Sequence, residues 1–465
     1  MMVFLSPKRR PSKSIDEGRG IDEIHQGCQQ FVKEYMERGS GFPILELETN
    51  ILYEILSRLP LRSILACRCV CKTFLKILKD DPFFIQLHLA RARTTVNLVL
   101  EGCVYDQSWL VFSMFDLDQG FRASCSIDCQ HSSCRPGNPF SPARAWQNAE
   151  FCILNRRTAL VGECNGLLCL YSDLSSQPLY VICNPVLGEY LPLPYLSPST
   201  TPVVSYFNIS GFGFSESGEY KVIHFASLKS VDPLTSLPSR KMVVDIGTLS
   251  SGLWRRISDA PCPKIRGSFD SLLNGSLHWI TNSHKPAELL CSLNLESENF
   301  MSLPPPSHFN LDFMNKISGT NVGVLGGSLC LCYVKEKSHF EAWVMKDYGV
   351  KESWMKQFSI DIAFYSGLRR VDFYKPLKFL SNGELWLQQS FNCLISYNPQ
   401  TGTFKDFEVP EHLSNGIIQG HQGPTLHSGV ILHYPTLISL QNAVKGKNLT
   451  VVKYGKDRRT KVFLA

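Results

Sequence analysis

The residue types best suited to hold a metal ion fall within one stretch of ten positions. They are Cys125, Cys129, His131 and Cys134. Thiolate and imidazole groups are the donors that tetrahedral zinc takes in proteins. The spacing lacks the Cys-X-X-Cys pair of structural zinc sites, which favours a flexible loop that contains thiols. These residues therefore stay a weak metal candidate, and no cofactor is expected.

Histidines on or beside predicted strands are the other possible metal ligands. They share no common spacing: His224, His278, His421, His427 and His433. The sequence has no Gly-rich phosphate loop ending in Lys-Ser/Thr, no Gly-X-Ser-X-Gly elbow and no His-Glu-X-X-His motif. We therefore expect no catalytic residues and assign the histidines to buried or half-buried positions. An enzyme with ligands or carboxylates clustered inside a β-rich region is the alternative.

The elements that must position functional residues begin with a helical segment near the amino end. One apolar set recurs at helical spacing and predicts an amphipathic helix that Pro60 ends: Ile51, Leu52, Ile55, Leu56 and Leu59. A second set follows: Leu61, Ile64, Leu65, Val70, Phe74, Leu75 and Leu78. So small a helical unit cannot bury all this surface by itself. The segment therefore predicts an apolar face that is covered by a partner protein or, alternatively, by the rest of the chain.

Several fixed-spacing features of this segment agree with one family. They are the pairs Ile55-Leu56 and Leu59-Pro60, the run Val70-Cys71-Lys72 and the aromatic Phe74. The segment resembles the F-box, the adaptor-binding motif of cullin-type ubiquitin ligases, with Glu48 in place of the family's proline and Phe74 in place of its tryptophan. The resemblance implies a small three-helix domain that docks a Skp-type adaptor and, through it, cullin. It implies adaptor contacts at Leu47, Ile51, Leu52, Ile55, Leu59, Pro60, Leu65, Val70 and Lys72.

From about residue 94 onward, long helical periodicity gives way to short β-rich runs punctuated by Gly, Pro and Asn. Two-residue turns precede apolar strands, with glycines at 166, 218, 275, 327, 383 and 429, which are 52, 57, 52, 56 and 46 residues apart. Asn-Gly favours such hairpins because both turn residues need positive φ. An aromatic residue and an apolar residue, often followed by proline, come after each turn. Each unit thus offers about four strands in roughly 50 residues, the size of one propeller blade.

The same region resembles the F-box-associated domain of plant F-box proteins. The matching runs are Cys164-Asn-Gly-Leu-Leu-Cys169, Cys183-Asn-Pro-Val-Leu-Gly188, Phe212-Gly-Phe214 and Tyr220-Lys-Val222. The expected fold is α+β multidomain: a helical F-box followed by an all-β kelch-like propeller of six or seven blades. An irregular β-sandwich is the alternative.

Composition restricts the compartment and the partners. The chain has 17 cysteines and no secretory signal, so we expect reduced thiols in the cytoplasm and/or the nucleus. The net charge of +6 lies in the two ends, and the residues between them are slightly acidic, which argues against nucleic-acid binding. No run of about 18 apolar residues offers a membrane span. The basic run at 7–13 is either a nuclear-import signal or a solvated tail.

We predict a basic disordered tail plus an amphipathic helix at 1–41, the F-box at 42–90, the propeller at 94–455 and a basic tail at 456–465. The resemblances imply a non-catalytic, substrate-recognition subunit of a Skp-cullin-F-box ubiquitin ligase, with an unknown target bound by propeller loops. Candidate target loops are 197–205, 227–240 and 304–315. The alternative is a non-catalytic scaffold or co-regulator with a decayed F-box.

Overall fold

The computed structural model describes residues 47–92, 97–104, 109–116, 122–128, 158–174, 177–194, 209–231, 238–257, 265–281, 283, 285–362, 374–389, 393–406, 430–444, 451–453 and 462–464. The chain divides into two compact units, Met1–Arg91 and Ala92–Ala465. The basic tail and helix predicted at 1–41 lie outside the described residues.

Four helices form the described part of the amino-terminal unit: α1 Thr49–Ser57, α2 Leu61–Cys67, α3 Lys72–Asp80 and α4 Pro82–Ala92. Pro60, at φ −55°, precedes α2 as predicted. Asp81 is extended and separates α3 from α4, and its Oδ1 accepts a hydrogen bond from Phe84 N at 3.0 Å. A carboxylate before a proline is a strong helix start. The three-helix prediction is therefore not confirmed, because a fourth helix begins directly after α3.

Polar side chains fix α4 against α1. Arg91 donates to the Glu54 carboxylate, to Ser57 Oγ and, at 3.3 Å, to the Glu54 carbonyl. Tyr53 OH donates to Asp81 at the start of α4. The core beneath them is almost fully buried: Leu56, Ile64, Leu78 and Phe84. These contacts hold α1 in one orientation within its unit.

The second unit is built from short strands. The first thirteen are β1 Asn97–Val104, β2 Trp109–Asp116, β3 Arg122–Asp128, β4 Thr158–Cys164, β5 Leu167–Leu174, β6 Gln177–Asn184, β7 Glu189–Pro192, β8 Ile209–Phe214, β9 Tyr220–Val231, β10 Pro238–Thr248, β11 Leu253–Arg256, β12 Ile265–Leu273 and β13 Ser276–Thr281. The others are β14 Leu290–Asn294, β15 Phe300–Leu303, β16 Ile317–Leu325, β17 Ser328–Lys335, β18 His339–Met345, β19 Trp354–Asp361, β20 Tyr374–Phe379, β21 Leu385–Gln389, β22 Cys393–Asn398, β23 Thr403–Asp406, β24 Val430–His433, β25 Val452–Lys453 and β26 Val462–Leu464. Two short helices accompany them, α5 Leu311–Met314 and α6 Leu440–Ala443.

Antiparallel pairing groups successive strands into blades. In the described residues, five sheets are each built on four strands that follow one another in the chain: blade 1 (β4–β7, with β25 added at the edge beside β7), blade 2 (β8–β11), blade 3 (β12–β15), blade 4 (β16–β19) and blade 5 (β20–β23). Apolar cores lie between neighbouring sheets, as where Phe225 of blade 2 meets Trp279 of blade 3. The unit is an all-β propeller with five such blades, so the predicted number of six or seven is wrong.

A further sheet of different construction explains the discrepancy. Among the described strands after the sixth turn, β24 pairs with β1, and β2 and β3 from the start of the domain extend that sheet, whereas β25 pairs with β7 of blade 1. The outer edge of the sheet that contains β24 is covered by β26, which pairs with β3. Residues 462–464, which lie within the segment predicted as a basic tail, form this strand. A turn count assumes that each unit supplies its own strands, and here distant strands join.

The recurring Gly-containing turns belong to two classes. Both central residues have positive φ at Asn165-Gly166, Asn274-Gly275 and Gly326-Gly327, as the sequence predicts. In the turns at Gly218 and Gly383 only the glycine is left-handed, and each loop has three residues between its pairing ends. Such loops place a left-handed glycine after a type I turn. One Xaa-Gly signal therefore encodes two hairpin geometries.

The second repeated element joins neighbouring blades. Trp254 Nε1 donates to the carbonyl of Pro194 at 2.8 Å, and Trp354 Nε1 donates to that of Pro304 at 2.8 Å. In each case the tryptophan is the first or second residue of the outer strand of one blade, and the proline follows the outer strand of the preceding blade. A buried indole N–H needs a partner. The Leu-Pro pair of one blade and the Trp of the next, which recur in the sequence, are thus joined by a hydrogen bond at each of these two blade junctions.

The two signature runs of blade 1, residues 164–169 and 183–188, contact the segment 430–444. Asn184 is fully buried; its Oδ1 accepts from Val186 N and Leu187 N, and its Nδ2 donates to Thr436 O and Ile438 O. Glu189 accepts hydrogen bonds from the hydroxyl of Ser439, which caps α6, and from the backbone N–H of Leu440, the first residue of α6. A Cβ on Gly166 would overlap the atoms of this segment. The signatures are therefore structural: they close the propeller.

Candidate functional site

One face of α1 leaves large apolar side chains in contact with solvent. Leu47, Ile51 and Ile55 are 38%, 45% and 38% exposed. Residues four apart share a helix face, so Ile51 and Ile55 form one stripe that Leu47 continues at the amino end. Exposed clusters of large aliphatic residues mark interaction surfaces more often than isolated ones do.

The other predicted adaptor contacts divide into three groups. Pro60 and Lys72 are exposed; the half-buried ones are Leu59, Leu65 and Val70. Leu52 is only 4% exposed, because it lies about 100° around α1 from Ile51 and faces the core. The structure therefore places Leu52 in the core of the helical unit and not on the exposed stripe, and its contact with an adaptor stays a prediction.

Two exposed apolar side chains in the same unit escaped the sequence prediction. Leu75 of α3 is 40% exposed, and Phe83 at the start of α4 is 67% exposed. Both belong to runs of apolar residues, Phe74-Leu75 and Phe83-Phe84, in which the neighbour is buried. Periodicity over so few turns does not tell which member of an adjacent pair faces outward.

The two departures from the F-box pattern have different positions. Glu48 precedes α1 with φ −55°, the value that proline imposes, so the backbone keeps the geometry of the family's proline. Phe74 is 5% exposed and packs in the core. Phe74 is therefore a core residue and is not part of the exposed stripe.

The loops of the propeller fall at two ends. In a four-stranded antiparallel blade, the connection between the second and third strands and the connection to the next blade lie at the same end. The candidate target loops 197–205, 227–240 and 304–315 are all of these two kinds. The last is described in full, the second in part, and the first lies outside the described residues. The Gly-containing turns described above occupy the opposite end.

At the loop end, aromatic rings gather between blades 3 and 4. The ring of His308 lies 4.4 Å from that of Trp343 and 4.6 Å from that of Phe313, measured between centroids. His308 Nε2 is 3.1 Å from Tyr333 OH. Desolvation lowers the pKa of His308, which keeps the ring neutral near pH 7.

A buried carboxylate lies beneath these rings. Glu341 accepts hydrogen bonds from Tyr333 OH at 2.9 Å, from Trp343 Nε1 at 3.3 Å and from Lys356 Nζ at 3.0 Å. Burial alone would raise the pKa of Glu341, but these hydrogen bonds outweigh it and lower that pKa. Lys356 Nζ also lies 5.4 Å from the centroid of the Trp343 ring, within cation–π range.

The metal candidates gain no support from the described residues. Cys125 lies in β3, and Cys129, His131 and Cys134 lie outside the described part of the chain. Within the described residues, no group of three or more His, Cys, Asp or Glu side chains could hold a metal ion.

Three of the five candidate histidines are described, and each is buried with a hydrogen-bond partner. His224 Nδ1 is 2.6 Å from Tyr180 OH; His278 Nδ1 donates to Ser271 O at 3.0 Å; His433 Nε2 donates to Gly166 O at 3.0 Å. Desolvation lowers the pKa of each of the three to about 4. His421 and His427 lie outside the described residues.

A serine, a histidine and an aspartate occupy one row across blade 2. Ser210 and Asp245 pair with His224 from the two neighbouring strands. However, Ser210 Oγ is hydrogen bonded to Tyr180 OH, and Asp245 is held by Arg256 at 3.0 Å. A nucleophile must be bonded to its base and open to substrate. The row is therefore a buried polar network and not a catalytic triad.

Among the described residues, no helix has the length and apolar character needed to cross a membrane.

Comparison with known proteins gives two family matches. Residues 44–86 match the F-box domain, and residues 138–403 match the F-box associated beta propeller domain. The F-box protein At3g07870 of Arabidopsis thaliana is 29% identical over 401 residues, which cover 79% of this chain and 88% of that protein. The F-box/kelch-repeat protein At3g23880 of the same plant is 25% identical, covering 77% of this chain and 89% of that protein.

A third relative, the F-box protein CPR1 of Arabidopsis thaliana, is 26% identical over 71% of this chain and 76% of its own length. A solved prolyl endopeptidase shares 12% identity at a TM-score of 0.32, covering 78% of this chain and 53% of that chain, and supports no conclusion about activity. The family model of the propeller matches more than half of the chain, and the helical unit matches the F-box. The chain therefore belongs to the F-box-associated β-propeller family and carries an F-box domain at its amino end.

Proposed function

We propose that this protein is the substrate-recognition subunit of a Skp-cullin-F-box ubiquitin ligase. Its F-box docks a Skp-type adaptor and through it cullin, and its propeller binds a target protein. Catalysis belongs to other subunits, and this chain supplies proximity. We place the protein in the cytoplasm and/or the nucleus, because cysteines such as those of this chain stay reduced in these compartments.

The observation that carries the proposal is the exposed stripe of Leu47, Ile51 and Ile55 in an F-box domain. Full burial of a large aliphatic side chain contributes about 1.5–3 kcal/mol. These side chains are 38–45% exposed in the free protein, so the gain is about 1 kcal/mol each on the same scale, and the half-buried Leu59, Leu65 and Val70 add smaller amounts. Association also costs entropy, so an adaptor must cover the whole stripe and its neighbours.

The departures at Glu48 and Phe74 are the reason to consider an alternative, a scaffold or co-regulator with a decayed F-box. Glu48 keeps proline-like backbone geometry, and Phe74 lies in the core, so neither change removes the exposed stripe. We therefore prefer the ligase. The alternative predicts a folded protein that brings down neither adaptor nor cullin in a native pull-down.

The test is a double substitution on the stripe, Ile51→Asp with Ile55→Asp. Two carboxylates in a dry interface cost several kcal/mol, so adaptor binding measured by calorimetry and by native pull-down should be lost. The matched control is Leu253→Asp, which places a carboxylate on an exposed leucine of the propeller and should leave adaptor affinity unchanged. Wild-type adaptor affinity in the folded double variant would refute the proposal.

A further inference from the structure

One turn at the loop end of blade 4 has an unfavourable backbone. Glu336 and Lys337 have φ values of 50° and 59°, in the left-handed region that disfavours residues with a long side chain. They connect β17 to β18. At the opposite end of the same blade, the turn between β16 and β17 meets the same backbone demand with Gly326-Gly327. The chain therefore uses glycine for this geometry at one end of the blade and charged residues at the other.

No side-chain contact within the described residues explains the choice of Glu336 and Lys337 for this turn. Both side chains are exposed, and neither makes a hydrogen bond or an ion pair in the part of the chain that the structure describes. The backbone of the turn is anchored by two hydrogen bonds, from Ser338 N to Lys335 O at 3.1 Å across the turn and from Glu336 N to Lys316 O at 3.2 Å. Residues other than glycine that are held in the left-handed region cluster at binding and active sites. The side chains at 336 and 337 thus point to an external contact.

The strained turn borders the aromatic cluster described above. Lys316 follows α5, whose Phe313 packs against His308 and Tyr333. Leu311 of the same helix is 54% exposed. Rings already held by packing lose little entropy on binding, which suits an anchor pocket. Turn and cluster form one surface, the 308–343 surface, made of segments 308–316 and 333–343 together with Lys356.

The charges on this surface select an acidic partner. The four lysines are Lys316, Lys335, Lys337 and Lys356, and the acids open to solvent are Asp312 and Glu336. Glu341 is buried, and its oxygens are already occupied. Lys356 uses one N–H on Glu341 and retains donors for a further carboxylate. A carboxylate of a bound partner would therefore lie close to these lysine ammonium groups, and it would not have to break the ion pair between Lys356 and Glu341.

We infer that the 308–343 surface binds an acidic segment of the target protein through an apolar or aromatic anchor. This inference rests on the proposed function, because it assigns target recognition to one junction of the propeller. The strained turn holds Lys337 where the segment's carboxylates lie, and Leu311 and Trp343 receive the anchor.

Strain is tested by exchanging the two turns. Glu336→Asn with Lys337→Gly should raise Tm by about 2 °C or more, because both new residues tolerate left-handed φ. The reciprocal change, Gly326→Glu with Gly327→Lys, should lower Tm by a similar amount. No atom lies within 4 Å of a Cβ placed on either glycine, so this variant adds backbone strain without overlap. An unchanged or lower Tm in the first variant would remove the reason to assign the turn a binding role.

Binding is tested by fluorescence anisotropy with three labelled synthetic peptides on the full chain. The probes are Gly-Glu-Asp-Leu-Glu-Trp-Asp-Gly, a version with lysine for every acid, and a version with serine for Leu and Trp. The first peptide should bind, and Lys337→Gly and Trp343→Ala should each weaken it about tenfold. Leu253→Ala, on the edge of blade 2, is the control and should leave the affinity unchanged.

Equal binding of the lysine peptide, or unchanged affinity in the Lys337 and Trp343 variants, would overturn the inference. Adaptor pull-down on the same preparations separates this result from the proposed function. If the wild-type protein binds the adaptor but not the acidic peptide, only the inference about the 308–343 surface is refuted. If the wild-type protein does not bind the adaptor, the ligase proposal itself is refuted.

Discussion

Replacement of Asn184 by aspartate tests whether blade 1 closes the propeller. The buried amide accepts two backbone hydrogen bonds within its own turn and donates to the carbonyls of Thr436 and Ile438, at 3.2 Å and 2.7 Å. Asn184→Asp keeps the shape and both acceptor bonds. It replaces the donor by an oxygen that faces two carbonyl oxygens in a dry site.

The magnitude follows from the two lost donor bonds. Each buried group left without its partner costs about 1–3 kcal/mol, so we expect a loss of roughly 3–5 kcal/mol in the free energy of unfolding near pH 7. Because a protonated aspartate regains one donor, the difference from the wild type should shrink as the pH falls. Urea denaturation of both proteins at matched pH values measures this difference, and hydrogen exchange over residues 430–444 should accelerate.

The same substitution at Asn398 is the control. Its Oδ1 accepts from Gln400 N and Thr401 N in the equivalent turn of blade 5, and the residue is only half buried. Asn398→Asp keeps these bonds, so its effect should stay below about 1 kcal/mol. Equal losses at the two positions would show that turn geometry, and not attachment of the segment 430–444, explains the role of Asn184.

Three further predictions follow from contacts in the described residues. Arg91→Met should destabilise the F-box by about 2 kcal/mol and weaken adaptor binding, because Glu54 and Ser57 lose the donor that joins α4 to α1. Chemical denaturation measures the loss of stability and calorimetry the loss of adaptor affinity. Wild-type values in both would refute a stabilising role for this contact. The buried propeller histidines have pKa values lowered to about 4 from 6.5, so the unfolded chain binds more protons between these values. Stability present above pH 6.5 should therefore be lost as the pH falls toward 4, by about 3 kcal/mol per histidine, and urea midpoints that do not change over this range would contradict it. Trp354→Phe removes the donor to Pro304 but keeps an aromatic ring, and should cost about 1–3 kcal/mol in thermal denaturation, whereas Trp343→Phe should cost less.

Local patterns in the sequence predicted several features well. The spacing of Ile51 and Ile55 with Pro60 predicted α1 and its end, although Leu52 and Leu56 of the same apolar set face the core. Asn165-Gly166 and Asn274-Gly275 predicted tight hairpins that the backbone confirms. These features depend on residues within a few positions of each other, so the chain need not be folded for the signal to be readable.

Counts and partners that depend on distant residues were not readable. The blade number depended on β24 pairing with β1, which lies at the other end of the domain. Leu52 and Phe83 each lie in apolar runs, and only packing decides which members of the runs are buried.

The amino-acid sequence by itself determined the two domain families, the period of the blades and the position of the tight turns, because each is written in short stretches of residues. Only the tertiary structure decided how the propeller closes. Asn184 finds its carbonyl partners 252 and 254 positions along the chain, at Thr436 and Ile438. No periodicity links residues so far apart, since their contact exists only once the blades between them have folded and brought the ends together.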